Sequence, residues 1–523
     1  MKRMTKLSLL LIVAGLLLLG SNAYADPVGG AANLTLQAEV EASTGVATLS
    51  GAHAGGAGKR VSLLVADSAG KLVCVDQTTS GAEGAYAFSC RLPAGGYGDY
   101  EAKVGGEESS AVSLEFEYAS PSGGGDPGGS DGGSGGGSSG NVGNAEAPDA
   151  DVVLKPTPSG RTASAVLSLD AAKHELPEGA SGPKKPLRIE VAKTEGVDSV
   201  SLKLPADLFK PEWRDRLSEV RIETQFGVVS IKPNAIPGLK DAAGEVVFTI
   251  GPANAGAGLT AYAFTLSVDG RPVSDFNGNR AVRVTIPFDK EAGDRPETIV
   301  VYYVSDDGSL TLVGDGHYDE AAGAVTFYAK HFSVYAAATV GVEDFADVAA
   351  TPWAKSAIAG LAARKVVNGT GEARFEPQRA VTRAEFVRML ALAFELKAEG
   401  KSSGFSDVPD GSWYEEAAAA AVKNGIATGY PDGTFGGVRT ITRQEMAVMI
   451  ARTLRASGIE PPADAVSGEP KDLARVAKFA KDDVLALYRA GIAQGDAAQR
   501  FNPGANSTRA EAAVMIYRLL MLP

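Results

Sequence analysis

Three short runs hold the constellation in this chain with the most definite chemistry: Thr382-Arg383-Ala384-Glu385, Thr442-Arg443-Gln444-Glu445 and Thr508-Arg509-Ala510-Glu511. A Thr three residues before a Glu, ahead of an apolar run, is a capping box. The Thr hydroxyl accepts from the third helical N–H, and the Glu carboxylate accepts from the Thr N–H. The cap does not need the Arg. A cation in the first turn opposes the helix dipole, at a cost of about 0.3 kcal/mol or more, and the choice is made three times. A guanidinium beside free N–H groups at a helix start suits a carboxylate or phosphate, with a bidentate fork from the Arg and directional donors from the backbone. Alternatively, each Arg pairs with an acidic neighbour and ties adjacent segments together.

The runs sit inside a longer repeat that must position them. Trp353, Trp413 and Phe479 each precede the motif Arg by 30 residues. Between them come Val366, Ile426 and Ile492, then Gly369, Gly429 and Gly495, then Phe375, Phe435 and Phe501. After each Arg, apolar residues recur at helical spacing (Phe386, Met389, Leu390 and Ala393 in the first copy), which predicts a buried helix face. The Phe residues are expected as core pegs. The three Gly residues are expected as helix C-caps or turn residues at positive φ. Trp353 and Trp413, at helical spacing, read first as core and second as ligand contacts.

With these residues in place, Glu343 to Leu522 resembles a tandem of three S-layer homology repeats. The resemblance rests on Phe345-Ala346-Asp347-Val348, Trp353, Gly369, Phe375-Glu376-Pro377 and the Thr-Arg-Ala-Glu run in the first copy. In the second it rests on Phe405-Ser406-Asp407-Val408, Trp413, the run from Gly429 to Phe435, and Thr-Arg-Gln-Glu. It implies an all-α, pseudo-threefold helical bundle whose inter-repeat grooves bind pyruvylated secondary cell-wall polysaccharide attached to peptidoglycan. Carried over by position, it implies Arg383, Arg443 and Arg509 for the pyruvate carboxylate. It likewise implies Asp347, Asp407, Trp353, Trp413, Gly369, Gly429 and Gly495 for the sugar. The third copy opens instead with Leu473-Ala474-Arg475-Val476 and Phe479, so no Asp equivalent is expected there.

The rest of the chain reads as β-rich. Its 523 residues suggest several domains, and its formal charge of -13 excludes a general nucleic-acid binder. From Glu343 onward 22 basic and 22 acidic residues balance, so the surplus negative charge lies in the preceding 342 residues. A basic start, an apolar run Leu7 to Leu19 and Ala23-Tyr24-Ala25 before Asp26 predict a signal peptide over residues 1–25. That run is too short to span a bilayer, so no membrane span is expected in the mature protein. Short β-branched runs predict an immunoglobulin-like β-sandwich over 26–119 and a larger β-rich module over 149–340, with one helix-like insertion, Pro211 to Val220. The segment around Tyr318 to Tyr335 resembles uncharacterised β-rich modules of bacterial surface proteins. Between the two modules, residues 120–148 are Gly- and Ser-rich, with 12 Gly among the 24 residues from Pro121 to Asn144, and read as a flexible linker. Repeats are expected over 343–400, 401–460 and 461–523. Cys74 and Cys90 flank a turn-rich segment; a hairpin would bring them together, and in an exported protein this predicts a cross-strand disulfide, the alternative being two half-buried thiols.

No catalytic constellation is legible. The four His residues lack metal-ligand spacing, the Gly-x-Ser-x-Gly run at Gly132 to Gly136 lies in the linker, and Asp275 to Asn279 only begins like a calcium loop. No metal, cofactor or catalytic residue is therefore expected. The chain reads as a non-enzymatic, secreted protein of a Gram-positive-type cell wall or S-layer, with β modules as structural or display parts. The alternatives are a wall-anchored adhesin or scaffold, and an anchored polysaccharide-active enzyme.

Overall fold

A computed structural model describes residues 22–24 and 34–522, except 44, 69–71, 93–95, 107–108, 120–150, 176–183, 237–243, 257–258, 274–275, 277–279, 306–307, 343, 372, 399, 401–403 and 463–464. The expected linker and nearly all of the expected signal peptide lie outside these residues. The chain divides into two compact units, Met1–Asp131 and Gly132–Pro523.

In the first unit, Gln37–Glu41, Val46–Ala52 and Ala85–Arg91 join Asn22–Tyr24 in one four-stranded antiparallel sheet. Arg60–Asp67, Leu72–Thr79, Gly98–Gly106 and Ser109–Tyr118 form the other. Alternation along Gln37–Glu41 buries every second residue, and Leu49, Leu63, Phe88 and Tyr100 share the core. The expected hairpin between Cys74 and Cys90 does not form. Leu72–Thr79 pairs with Arg60–Asp67, whereas Ala85–Arg91 pairs with Val46–Ala52. A 3-10 turn at Ala82–Gly84, with Glu83 at φ 58° and Gly84 at φ 80°, carries the chain from one sheet to the other. Both cysteines are free thiols, Cys90 buried and Cys74 half-buried, so the disulfide expectation is corrected with the hairpin.

The larger β domain also pairs two sheets. Seven strands run in the order His317–Asp319, Ala324–Ala329, Val282–Pro287, Gly227–Ile231, Leu217–Thr224, Lys185–Val191 and Val152–Leu154. A nine-stranded sheet centres on Glu245–Ala253, Thr260–Val268, Val334–Thr339 and Ile299–Val304. Leu187, Ile222, Phe248, Val284 and Phe327 fill the core. Two short helices decorate it: α1, Leu169–Glu175, and α2, Pro211–Arg214. The expected helix to Val220 is thus cut to one turn, because Leu217, Val220 and Ile222 are buried in a strand that begins at Leu217.

Beyond Phe345 each repeat supplies a short helix and a longer one. These are α3 (Lys355–Ala363) and α4 (Arg383–Ala393), α5 (Glu415–Lys423) and α6 (Arg443–Ala456), and α7 (Lys481–Arg489) and α8 (Arg509–Leu520). Phe375, Phe435 and Phe501 are fully buried, and Phe386, Met446 and Ile516 pack in the same core. The region is helical, as expected, and follows a mostly β chain.

Candidate functional site

All three capping boxes form. Thr382, Thr442 and Thr508 each accept from the N–H of the Glu three residues on, and each Glu carboxylate accepts from the Thr N–H. The starts of α4, α6 and α8 are joined by β-bridges, Ala380 to Thr508, Thr382 to Thr440 and Thr442 to Asn506.

Each motif Arg reaches into the next repeat, and the third reaches back to the first. Arg383 donates to Thr428 O at 2.7 Å and lies over the rings of Tyr430 and Phe435. Arg443 donates to Gln494 O at 2.7 Å and lies over Phe501. Arg509 donates to Phe375 O at 3.0 Å and Asn368 O at 3.2 Å, over the Phe375 ring. One arrangement is therefore repeated around a closed ring of three repeats.

The electrostatics differ around that ring. Arg443 pairs with Glu511 at 3.1 Å and Arg509 with Glu385 at 3.3 Å. These two are the inter-repeat ties left open as an alternative by the sequence. Among the described residues Arg383 makes no carboxylate bond, because Glu445, the counterpart of Glu385 and Glu511, accepts instead from the Tyr430 hydroxyl at 3.0 Å. Arg383 is 6% exposed, and its buried Nε has no partner. Burial pushes its guanidinium below the usual value, Tyr430 and Glu445 oppose the shift, and an Arg stays charged.

Asp347 and Asp407 play one role. Asp347 accepts from the N–H groups of Phe375 and Glu376 at 2.9 and 2.8 Å, and Asp407 from those of Phe435 and Gly436 at 2.7 and 2.8 Å. Burial would raise the Asp347 carboxyl, but these amides outweigh it and hold it below the usual range. The third repeat does have an equivalent, contrary to expectation. Asp472 accepts from Phe501 N and Asn502 N at 2.6 and 2.8 Å, one residue further upstream of its Phe than the other two.

Gly369, Gly429 and Gly495 are not the positive-φ caps expected of them. Positive φ falls at Lys365, Gly425 and Gly491, at the helix ends proper. The expected glycines are set by contact: a Cβ on Gly369 would lie 2.9 Å from the Phe345 ring, one on Gly429 2.9 Å from Thr434 O, and one on Gly495 3.0 Å from the backbone of Gln499. Trp353 and Trp413 are surface residues, each 56% exposed, so the core reading of them fails. Arg388 lies over the Trp413 ring. Trp353 joins Arg443 and Gly495 around one groove of about 640 Å³, which Asp496 and Glu511 also line. Asp472, Tyr430 and Asp496 were missed; the first was hidden by the one-residue shift, the others by lying outside the repeated pattern.

These features define a three-repeat helical module whose repeats are closed on one another by an Arg at the same motif position in each, with surface aromatics beside it. The S-layer homology domain family matches residues 344–387, 404–447 and 471–513, and the protein carries three tandem S-layer homology repeats. It is similar to an amylopullulanase of Thermoanaerobacterium thermosulfurigenes, 35% identical over 267 residues, 50% of this chain and 14% of that protein. A cellulosome-anchoring protein of Acetivibrio thermocellus is 32% identical over 151 residues, 28% of this chain and 33% of that protein. A surface-layer 125 kDa protein of Lysinibacillus sphaericus is 29% identical over 203 residues, 38% of this chain and 17% of that protein. The chain thus spans a third or less of the length of these relatives. The repeats and the surface-layer relatives identify a secreted protein held at the cell wall or surface layer. Among the described residues no helix is long and apolar enough to cross a membrane.

Proposed function

We propose that the helical region acts as a pseudo-threefold anchor that binds pyruvylated secondary cell-wall polysaccharide at equilibrium, with Arg383 taking the ketal carboxylate. Arg383 carries this reading. It is a buried cation with a free Nε and no carboxylate partner, so an incoming carboxylate gains a charge-assisted pair without displacing one. Arg443 and Arg509 occupy equivalent grooves but exchange an existing Glu contact on binding. Trp353 and Trp413 offer exposed faces to sugar rings, Asp347 and Asp407 hold the Phe loops that floor the grooves, and Gly369, Gly429 and Gly495 let the sugar-facing backbone pack closely against those loops. The β domains serve as structural or display parts.

The test is sedimentation of the full chain with purified cell-wall sacculi, before and after chemical removal of pyruvate ketals, beside Arg383→Ala. The expected result is retention lost with the ketals and weakened at least tenfold by the substitution. Retention indifferent to both removes the carboxylate mechanism. Likeness to an amylopullulanase favours a second reading, in which the chain itself acts on polysaccharide. Release of reducing ends from pullulan or xylan by the full chain would establish that reading in place of a purely binding role.

A further inference from the structure

The three long helices have two ends, and only one carries the motif arginines. Over 11 to 14 residues, α4, α6 and α8 run about 16 to 21 Å. At the far end, Ala393, Ser457 and Leu520 converge on a cavity of about 440 Å³, whose other wall is the larger β domain through Gly314, Asp315 and Tyr328. Helix C-termini present unpaired carbonyls and partial negative charge, and the β domain meets them with cations. Arg280 donates to Leu522 O at 2.6 Å, and Lys330 pairs with Glu395 at 2.6 Å. A Cβ on Gly314 would lie 3.0 Å from Ala393 O, so the backbones meet closely.

The strongest contact is Arg364, at the C-cap of α3 and 4% exposed. Its guanidinium donates to Gly360 O on its own helix at 2.8 Å and to three carbonyls of the β domain: Glu297 O at 3.0 Å, Ile299 O at 3.4 Å and Gly316 O at 2.5 Å. Among the described residues it forms no carboxylate ion pair. Undocking would leave this guanidinium its bond to Gly360 O and exchange the three inter-domain carbonyls for water.

We propose that the larger β domain is a fixed part of the wall anchor, latched by Arg364 onto the C-terminal ends of α4, α6 and α8, so that it and the wall polymer occupy opposite ends of the helical region. Docking at the far end leaves the arginine grooves open and fixes the direction in which the β domain projects.

The full chain with a site-specific protease site inserted at Gly341-Val342 tests this without isolating either part. After cleavage of the otherwise wild-type chain, the two pieces are expected to co-elute in gel filtration; their separation overturns the proposal. In the Arg364→Met background the pieces are expected to part, and continued co-elution there removes Arg364 as the latch. Should Arg364→Met lose its helical circular dichroism, Arg364→Lys carries the comparison: it keeps the charge but not the fork, and the pieces are expected to separate at a lower urea concentration than wild type. An unchanged urea concentration counts against the latch. Neither readout involves the wall polymer, so this proposal and the carboxylate mechanism fail independently.

Discussion

Arg383, Arg443 and Arg509 share a motif position and reach three charge environments, and the difference is set by neighbours the motif does not contain. Tyr430 takes the Glu445 carboxylate that would otherwise face Arg383; in the third repeat Asp496 stands where Tyr430 does in the second, and Glu511 stays with Arg443. Removing each Arg should therefore separate two properties. Arg383→Ala is expected to weaken wall binding tenfold to a hundredfold, the worth of about 1.5 to 3 kcal/mol for a charge-assisted contact, with a smaller fall in melting temperature than Arg509→Ala. Arg509→Ala, which loses bonds to Phe375 O, Asn368 O and Glu385, is expected to lower the melting temperature more than it lowers binding. Thermal unfolding beside sacculus binding checks both, and equal effects of the two substitutions on binding would contradict the distinction. The motif position of the arginines was legible in the sequence; their pairing was not, because it depends on which residue of a neighbouring repeat fills the same few ångströms. Acid should reveal the carboxylates that hold the ring. Burial alone would raise Asp347, Glu385 and Glu445, but bonds from amides, Arg379, Thr442 and Tyr430 hold them below the usual range. A folded value below the unfolded one gives stability that is full above about pH 5 and lost as pH falls below about 4 towards the folded values. The melting temperature of the helical region is expected to be level from neutral pH to about 5 and to drop below it, and a curve level to pH 3 would remove these groups as contributors.

At the scale of elements, the parts with strong local signals appear where expected: the capping boxes, the amphipathic faces of α4, α6 and α8, and the β-branched strands of the two β-rich stretches. What local pattern does not encode is which partner an element meets. The segment from Leu72 to Arg91 has the form of a hairpin, yet its two strands join different sheets, since the 3-10 turn redirects the chain and each strand pairs elsewhere. Asp472 was hidden for a related reason: an extra residue between Asp and Phe is absorbed in a loop and the carboxylate still reaches two amides. Asp472→Ala is accordingly expected to destabilise the helical region by about 3 kcal/mol, leaving two inward amides without an acceptor. Asp347→Ala is expected to do the same. Urea unfolding of the two variants checks this, and a much smaller loss for Asp472→Ala would mean that the third repeat tolerates an open loop. Thr508→Ala removes one cap and is expected to cost about 1 kcal/mol in the same assay.

For the whole molecule, the division that matters lies before the larger β domain rather than after it. Balanced charge and a change from β to helical pattern near residue 343 suggest a boundary there, and composition contains no sign of Arg364 reaching across it, since a lone Arg at a helix end resembles any surface cation. The first unit, by contrast, has a core of its own around Leu49, Leu63 and Phe88, separate from the cores of the β domain and the repeats. Energetically separate cores make effects on one unit additive with the other. A chain lacking residues 26–131 is thus expected to bind sacculi within twofold of the full chain and to keep the melting temperature of the remaining unit within about 2 °C, a change of about 1.6 kcal/mol or less for a unit of that size. Calorimetry of the two chains decides it. A larger shift would mean that the first sandwich supports the anchor. An unchanged transition would place all of the anchoring energy between the β domain, the three repeats and the wall.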